Sequence, residues 1–499
     1  MPVNAPNTSR YLEVERKFDV GESTQSPSFT GLAEIIRVER AETQALDAVY
    51  FDTPARDLAS QRITLRRRTG GVDAGWHLKL PAGPDARTEV RAALGATNGD
   101  GDHTDPPTEL LDLVLAIIRD RPVSPVARIS TTREVHLLHG ADDVVLAEFC
   151  DDRVTAGRGA DGTIAEQRWR EWELELVGPE AKTDLLDKLC SRLLGAGAKP
   201  AGYGSKLARV LDTSHSGDAG PPVDPLNRAL AHQLDELLVW DRAVRAQADD
   251  AVHQMRVTVR TIRSLLQAAP GSFGLADDTS IVDELRELGN VLGEARDAEV
   301  LAERYRTALD GLPPELVRGP VRERLVGGAE HRYRDGLRHS LAALRLPRYF
   351  RLLDALDALV ADAQPTDREP APATVAAAGE KVRKAAKAAR RTADNAARDG
   401  AIHRIRKRAK RLRYTAAAIG AKKVSKRAKE LQSLLGDHQD SVVSRDHLMK
   451  QADAAYAAGE DTFTYGLLYR QEAEVALGSR RQLEPALRKV GRAVRTLSS

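Results

Sequence analysis

The chain has 499 residues, a formal net charge of +2, 42% hydrophobic and 4% aromatic residues, and two cysteines. This length asks for about two to four domains rather than one core, and the aliphatic content excludes a largely disordered chain. Cys150 and Cys190 support neither a disulfide framework nor a thiolate zinc site; with no run near 18 apolar residues and no apolar leader in MPVNAPNTSR, a cytoplasmic protein without a membrane partner is predicted.

The near-neutral total hides an asymmetry: residues 1–215 carry about −7 and residues 216–499 about +9, so the second half is expected to meet an anion. The first predicted strand, YLEVERKF (11–18), sends Glu13, Glu15 and Lys17 to one face and Leu12, Val14 and Phe18 to the other. RITLRRRTGG (62–71) puts Thr64, Arg66 and Arg68 in phase, GWHLKLPAG (75–83) does so with His77 and Lys79, and ARTEVRAAL (86–94) with Glu89 and Arg91. An amphipathic stretch, ELLDLVLAIIRD (109–120), precedes two further strands, VVLAEFCDDRV (144–154) and REWELELVG (170–178). The last sets Glu171, Glu173 and Glu175 opposite Trp172, Leu174 and Leu176. AKTDLLDKLCSRLLGAG (181–197) then reads as a helix closed by glycine.

A solvated polar face is the ordinary explanation of any one such strand. Here, however, the acids sit at the two ends of the domain and the bases between them, the opposite faces are apolar, and few helices exist to cover a sheet twice. A closed or nearly closed barrel with a charged interior is therefore expected. Buried charge is prohibitive without counter-charge, so the interior is expected to hold an anion against Arg and Lys and a divalent cation against Glu. Guanidinium forks suit phosphate oxygens, and carboxylates at alternate strand positions suit magnesium or manganese. No P-loop, Ser/His/Asp grouping or dinucleotide glycine motif competes in this half.

In combination, E-x-E-x-K (Glu13, Glu15, Lys17), YFDTP (50–54), the paired arginines of LRRR, the lysine of WHLKLP, TEVR and a late E-x-E-x-E strand resemble the CYTH domain. This is the triphosphate tunnel metalloenzyme family, and the resemblance covers about residues 8–212. It implies an antiparallel eight-stranded β tunnel barrel with flanking helices that binds a triphosphate with Mg2+ or Mn2+. It implies phosphate contacts at Lys17, Arg66, Arg68, Lys79, Arg91, Arg133 and Lys206, with Glu89 among the substrate-facing residues. The metal-side acids it implies are Glu13, Glu15, Glu173 and Glu175, extended by Glu171; Asp152, preferred over Asp151 by its offset from Glu148, completes the set. Glu13, Glu15 and Lys17 are the expected catalytic residues. The activation of water stays open between a second metal and a Glu, and His77 is more ordinary as a packing or hydrogen-bond partner.

SHSGDAGPPVDP (214–225) has linker composition, which places domains at 1–212 and 227–499 around a linker at 213–226. Beyond it the chain reads as helix, broken at PGSFG (270–274), GLPPE (311–315) and QPTDREPAPAT (364–374). A repeat, roughly 227–364 and 375–499, is evident. HQMRVTVRTIRSLL (253–266) is echoed by HRIRKRAKRLRYTA (403–416), and LGEARDAEV (292–300) by LGDHQDSVV (435–443). On a helix, His253, Arg256, Arg260 and Arg263 form one stripe, and His403, Arg406, Lys410 and Arg413 form its copy, with Lys407 alongside. A charge run is usually a solvated face, but two copies in one phase weaken that explanation. Few aromatics and no groove-reading motif disfavour nucleic acid.

The doubled H-x-x-R-x-x-x-[RK]-x-x-R pattern resembles the CHAD domain over about 226–495. The resemblance implies an all-α domain of two pseudo-symmetric antiparallel four-helix bundles that binds inorganic polyphosphate through the two stripes, joined by Arg296 and His438. An α+β two-domain protein is thus expected: a cytoplasmic metal-dependent triphosphatase acting on inorganic triphosphate, with a polyphosphate-binding second half able to associate with polyphosphate granules. The alternatives are a granule-associated binding protein without turnover, an organic triphosphatase for thiamine triphosphate or ATP, and an adenylate cyclase.

Overall fold

The computed structural model describes residues 8–83, 85–94, 105–178, 183–212, 225–268, 270–273, 275, 279–361, 372–392, 395–418 and 420–498. Contacts divide the chain into two compact units, Met1–Ala219 and Gly220–Ser499. Of the expected linker, residues 213–224 lie outside the described residues, as do residues 362–371 of the expected break near 364–374.

The first unit contains strands β1 (Thr8–Val20), β2 (Arg37–Arg40), β3 (Gln44–Asp52), β4 (Thr64–Thr69), β5 (Gly75–Pro81), β6 (Ala86–Ala92), β7 (Ser124–His139), β8 (Val145–Arg158), β9 (Ile164–Leu176) and β10 (Lys199–Pro200). Its helices are α1 (Asp57–Ser60), α2 (Thr108–Leu113), α3 (Leu115–Ile118), α4 (Thr183–Gly195) and α5 (Lys206–Leu211). Eight strands run β1-β6-β5-β4-β3-β7-β8-β9, and β9 pairs back onto β1, which closes an antiparallel barrel. Closure depends on the length of β1, whose first half pairs β6 (Thr8↔Ala92 to Val14↔Ala86) and whose second half pairs β9 (Glu15↔Glu175 to Val20↔Arg170). Short β2 and β10 attach to β7 and β1.

Because side chains alternate across a strand, every barrel strand offers one face to the lumen and one to the outside. Outside, α4 lays Leu185, Leu186, Leu189 and Leu193 on Phe18, Phe149, Trp172 and Leu174. At one end the barrel is filled by an apolar cluster in which α5 contributes Leu207, Val210 and Leu211 against Ala127, Ile129, Val154, Ala156 and Trp169. The YFDTP stretch is a structural turn. Buried Asp52 accepts backbone hydrogen bonds from Thr53 (2.7 Å), Leu58 (2.9 Å) and Ala59 (2.9 Å), which fixes α1 at the end of β3.

The second unit is all helical: α6 (Pro225–Arg245), α7 (Ala251–Ala268), α8 (Ser280–Asp310), α9 (Gly328–Ala343), α10 (Pro347–Ala361), α11 (Pro372–Arg390), α12 (Asn395–Ala418), α13 (Lys422–Ala457) and α14 (Phe463–Ser498). A π-helical segment, Glu323–Gly327, leads into α9. α7 buries Val252, Met255, Val259, Ile262, Leu265 and Leu266, the apolar side of the stripe described above. α11, α12, the front of α13 and the end of α14 enclose one core. No described helix is long and apolar enough to cross a membrane.

Candidate active site and basic ridge

The barrel lumen holds a cavity of about 270 Å³. Its wall includes Glu13, Glu15 and Lys17 of β1, Arg66 and Arg68 of β4, Lys79 of β5, Glu89 and Arg91 of β6, Arg133 of β7, Glu173 and Glu175 of β9, and Lys206 of α5. Twelve sequence-singled residues thus share one space. Asp152 and Glu171 lie deeper and do not border it; both are buried, behind Lys206. Asp151 points elsewhere, into a salt bridge with Arg170 at 2.5 Å.

The charges of the wall are matched across the ladders. Lys17 faces Glu173 in the β1–β9 pair, Lys79 faces Glu89 in β5–β6, and Arg133 faces Asp152 in β7–β8. Lys17 Nζ also lies 2.7 Å from Glu15, and Lys79 Nζ 2.7 Å from Glu13. Arg133 binds Asp152 through two nitrogens, at 2.8 and 2.6 Å. Lys206 Nζ is held by Asp152 (2.8 Å), Glu171 (2.7 Å) and Glu173 (2.7 Å), and Arg91 donates to Glu89. The expectation that an external anion must neutralise the bases is therefore corrected. Register sets acids opposite bases, so the lumen is largely self-neutralised, and an incoming ligand exchanges ion pairs rather than filling an empty charge.

The proton affinities follow. Burial would raise Glu15, but Lys17 and Lys79 outweigh it and hold the carboxyl at about 2. Glu173 is likewise kept well below its ordinary range: burial is overridden by Lys17, Lys206 and Arg133. Glu175 is the exception. It has no ion pair among the described residues, and burial, then Glu13, push it up to about 7, with Lys79 opposing and Glu15 and Glu148 adding. His77 is committed to the wall: Nδ1 bonds Glu89 at 2.8 Å and Nε2 lies 2.9 Å from the Asp73 carbonyl. Burial lowers this histidine to about 4 despite Glu89, which fits a positioning role for His77 rather than that of a base facing a ligand.

Asp152, Glu171 and Glu173 each bring a carboxylate oxygen within 4.8 Å of the others, a group able to hold a metal ion. The Lys206 ammonium lodged among them is a stand-in for a cation, and the hard oxygen donors fit magnesium or manganese. Glu13, Glu15 and Glu175 supply a second set of oxygens on the cavity side.

In the helical unit the two stripes come together, because α7 and α12 pack on each other. His253, Arg256, Arg260 and Arg263 are half-buried on α7, as are His403, Arg406, Lys410 and Arg413 on α12. Burial, then Arg260, Arg263, Arg406 and Arg256, push Lys410 down to about 6. Burial and Arg256 lower Arg260 to about 10, with Arg406 also contributing. Arg256 pairs Asp297 at 2.8 Å and Arg296 pairs Glu299 at 2.7 Å. Arg260, Arg263, Arg406, Lys407 and Lys410, by contrast, have no salt bridge among the described residues. The lumen of the first unit is compensated; the ridge of the second is not.

Residues 12–194 match the CYTH domain and residues 228–449 the CHAD domain. Over 514 aligned positions the chain is 64% identical to the uncharacterized protein MT2285 of Mycobacterium tuberculosis (strain CDC 1551 / Oshkosh), with 99% of each chain covered. The chain belongs to the CYTH–CHAD family. Among solved structures, the CHAD domain from the plant Ricinus communis aligns with 53% of this chain and 90% of its own at 25% identity and a TM-score of 0.43. PptA from Streptomyces chartreusis aligns with 54% of this chain and 100% of its own at 19% identity and a TM-score of 0.46.

Within the CYTH domain, sequence alone did not single out Tyr50, Arg87 or Ser205, which also line the cavity. Tyr50 was hidden inside a turn motif, although its hydroxyl lies 3.4 Å from Arg66. Within the CHAD domain, His438 does not lie open on the ridge. It is buried, accepts a hydrogen bond from Arg480 at 3.1 Å and lies 3.3 Å from Asp399. A buried network of Arg304, Glu472, Ser441, Ser444, Tyr305 and His447 joins α8, α13 and α14; its members are too far apart in sequence to form a pattern.

Proposed function

We propose that the CYTH domain, near 1–212, is a metal-dependent triphosphatase acting on inorganic triphosphate, and that the CHAD domain, near 227–499, binds inorganic polyphosphate along the α7–α12 ridge. The two repeats would make the CHAD domain two related four-helix arrangements, and the ridge would associate the protein with polyphosphate granules. The observation that carries the catalytic reading is the single cavity with carboxylates and bases on its wall, enclosed by a closed barrel.

Arg66 and Arg68 are the bases best placed for phosphate oxygens. Arg66 meets Glu89 only at 3.9 Å, and Arg68, although paired with Asp73, is pushed down to about 9 by burial, Arg66 and Arg133, so an anion beside the pair relieves the remaining repulsion. Lys17 and Lys79 would pass from carboxylate to phosphate, freeing Glu13, Glu15 and Glu173 as oxygen ligands. Glu89, held by His77, would keep Arg91 and Lys79 in position. Bound among these acids, a divalent cation supplies charge neutralisation and orientation of a nucleophilic water. An inorganic substrate is favoured because the lining is polar, with Tyr50 its one aromatic ring among the described residues, and the apolar cluster around α5 fills the barrel end. A purine or thiazolium group would find little to stack on there.

Phosphate release from inorganic triphosphate, thiamine triphosphate, ATP and long-chain polyphosphate, each with magnesium, tests the reading. Inorganic triphosphate is expected to be turned over fastest. Faster turnover of an organic triphosphate, or formation of cyclic AMP, reassigns the tunnel; retention of polymer with no turnover makes the protein a binding factor.

A further inference from the structure

Around the core formed by α11, α12, residues 422–436 of α13 and residues 480–498 of α14, the chain carries 24 lysines and arginines against four acids. The segments at the equivalent place in the first repeat are α6, α7, residues 280–293 of α8 and α10; there nine bases face eight acids. In the second set each acid already holds an arginine: Glu380 with Arg383, Glu484 with Arg390, Glu430 with Arg427 and Asp399 with Arg480. Most of the remaining cations have no carboxylate to meet. Lys381 and Lys387 on α11, Arg408 on α12, Lys422 and Lys429 on α13 and Arg492 on α14 are all exposed and make no salt bridge among the described residues. Two exposed arginines of the first set are tied down, Arg286 by Asp283 and Arg348 by Glu284, while exposed Arg351 on α10 makes no salt bridge among the described residues.

Such a coat costs stability through self-repulsion, and the core beneath offsets little of it, since eight of its seventeen buried residues are alanine. Two sets of helices that correspond in the sequence repeat thus differ in the uncompensated charge on the outside of one of them. We infer that this coat is a second, external docking surface for long-chain inorganic polyphosphate, continuous with the ridge through the outer side of α12, where Arg404, Lys407, Arg408 and Arg411 stand exposed beside the half-buried stripe. The inference rests on the ridge binding polyphosphate. A chain too long for the ridge presents the phosphates that the coat would neutralise. The coat passes around all four helices rather than lying in one plane, and none of the exposed large apolar side chains falls within it, which disfavours a membrane surface.

The test compares the full chain with a coat variant (Lys381→Glu, Lys387→Glu, Lys422→Glu, Lys429→Glu) and a ridge variant (Arg260→Glu, Arg406→Glu), titrated with short-chain polyphosphate, long-chain polyphosphate and duplex DNA at several salt concentrations. The coat variant is expected to lose about 10- to 100-fold in long-chain affinity and to show a shallower salt slope, with short-chain affinity unchanged. The same four positions changed to glutamine should show a smaller loss of the same kind, which separates charge from folding defects. An unchanged ratio of long- to short-chain affinity in the coat variant overturns the inference, as does tighter binding of duplex DNA than of long-chain polyphosphate by the unmodified chain. If the ridge variant keeps its short-chain affinity, it is the ridge reading that fails instead.

Discussion

Lys206 is the side chain on which the acid end of the lumen turns. Its ammonium meets three carboxylates and is nearly enclosed, with 9% side-chain exposure. Lys206→Met should strand buried charge and cost about 3 kcal/mol, read as a lower denaturation midpoint, and magnesium should restore part of the loss by replacing the missing cation. Equal loss with and without magnesium would mean that the carboxylates do not take a metal. Lys410 gives a second test at this scale. In the free protein, burial and its arginine neighbours set it at about 6, against an ordinary 10.5. A polyanion on the ridge favours the ammonium, so the value is higher in the complex and binding takes up a proton. Polyphosphate affinity should therefore fall as pH rises above 6, by up to about tenfold per unit. Lys410→Arg, whose charge does not titrate in this range, should flatten the dependence; an unchanged slope would exclude Lys410 from the site. The stability contribution has the opposite sign: the unfolded chain binds more protons between about 6 and 10.5, so stability from this group rises with pH.

Single elements carry much of the design, and α9 shows how tightly. Buried Gly336 packs so closely on α8 that an added Cβ would lie 2.5 Å from the Ala295 nitrogen and 2.8 Å from its Cα. Gly336→Ala should therefore cost about 1–3 kcal/mol in urea denaturation, because the obstruction is backbone. A neutral outcome would show that α8 and α9 can part. Elements were also the level at which the sequence was most legible. Period-two alternation placed Glu13, Glu15, Lys17, Arg66, Arg68 and Glu173 on lumen faces, and period-3.6 patterning placed the α7 stripe beside Val259 and Ile262. Pairing between elements was not legible. That Arg133 meets Asp152, or that Lys206 enters the acid cluster from a helix after the last barrel strand, depends on register and on where α5 docks, and neither leaves a periodic trace. For the same reason the lumen was expected to need an outside anion. His438 shows the limit of the repeat: it stands where buried Ala295 does in the first copy, one place before the equivalent of Arg296, and Arg480 and Asp399 enclose it.

At the scale of the whole molecule, two kinds of charge are kept apart. The CYTH domain pairs its acids and bases inside a barrel, which suits a small ligand that arrives with its own metal; the CHAD domain leaves Arg260, Arg263, Arg406, Lys407 and Lys410 of its ridge without a carboxylate among the described residues, which suits a long polyanion. The two roles should separate. Arg260→Glu with Arg406→Glu should abolish short-chain polyphosphate binding and leave triphosphate hydrolysis in place, and loss of both in this variant would argue for one shared site. The most direct test is phosphate release from inorganic triphosphate with excess magnesium, measured in parallel for the unmodified chain and for Glu13→Gln. The unmodified chain should turn over steadily and the variant should lose at least about 100-fold, since Glu13 borders the cavity at the acid face of β1. No release by the unmodified chain, or an undiminished rate in the variant, would contradict a metal-dependent triphosphatase in this tunnel.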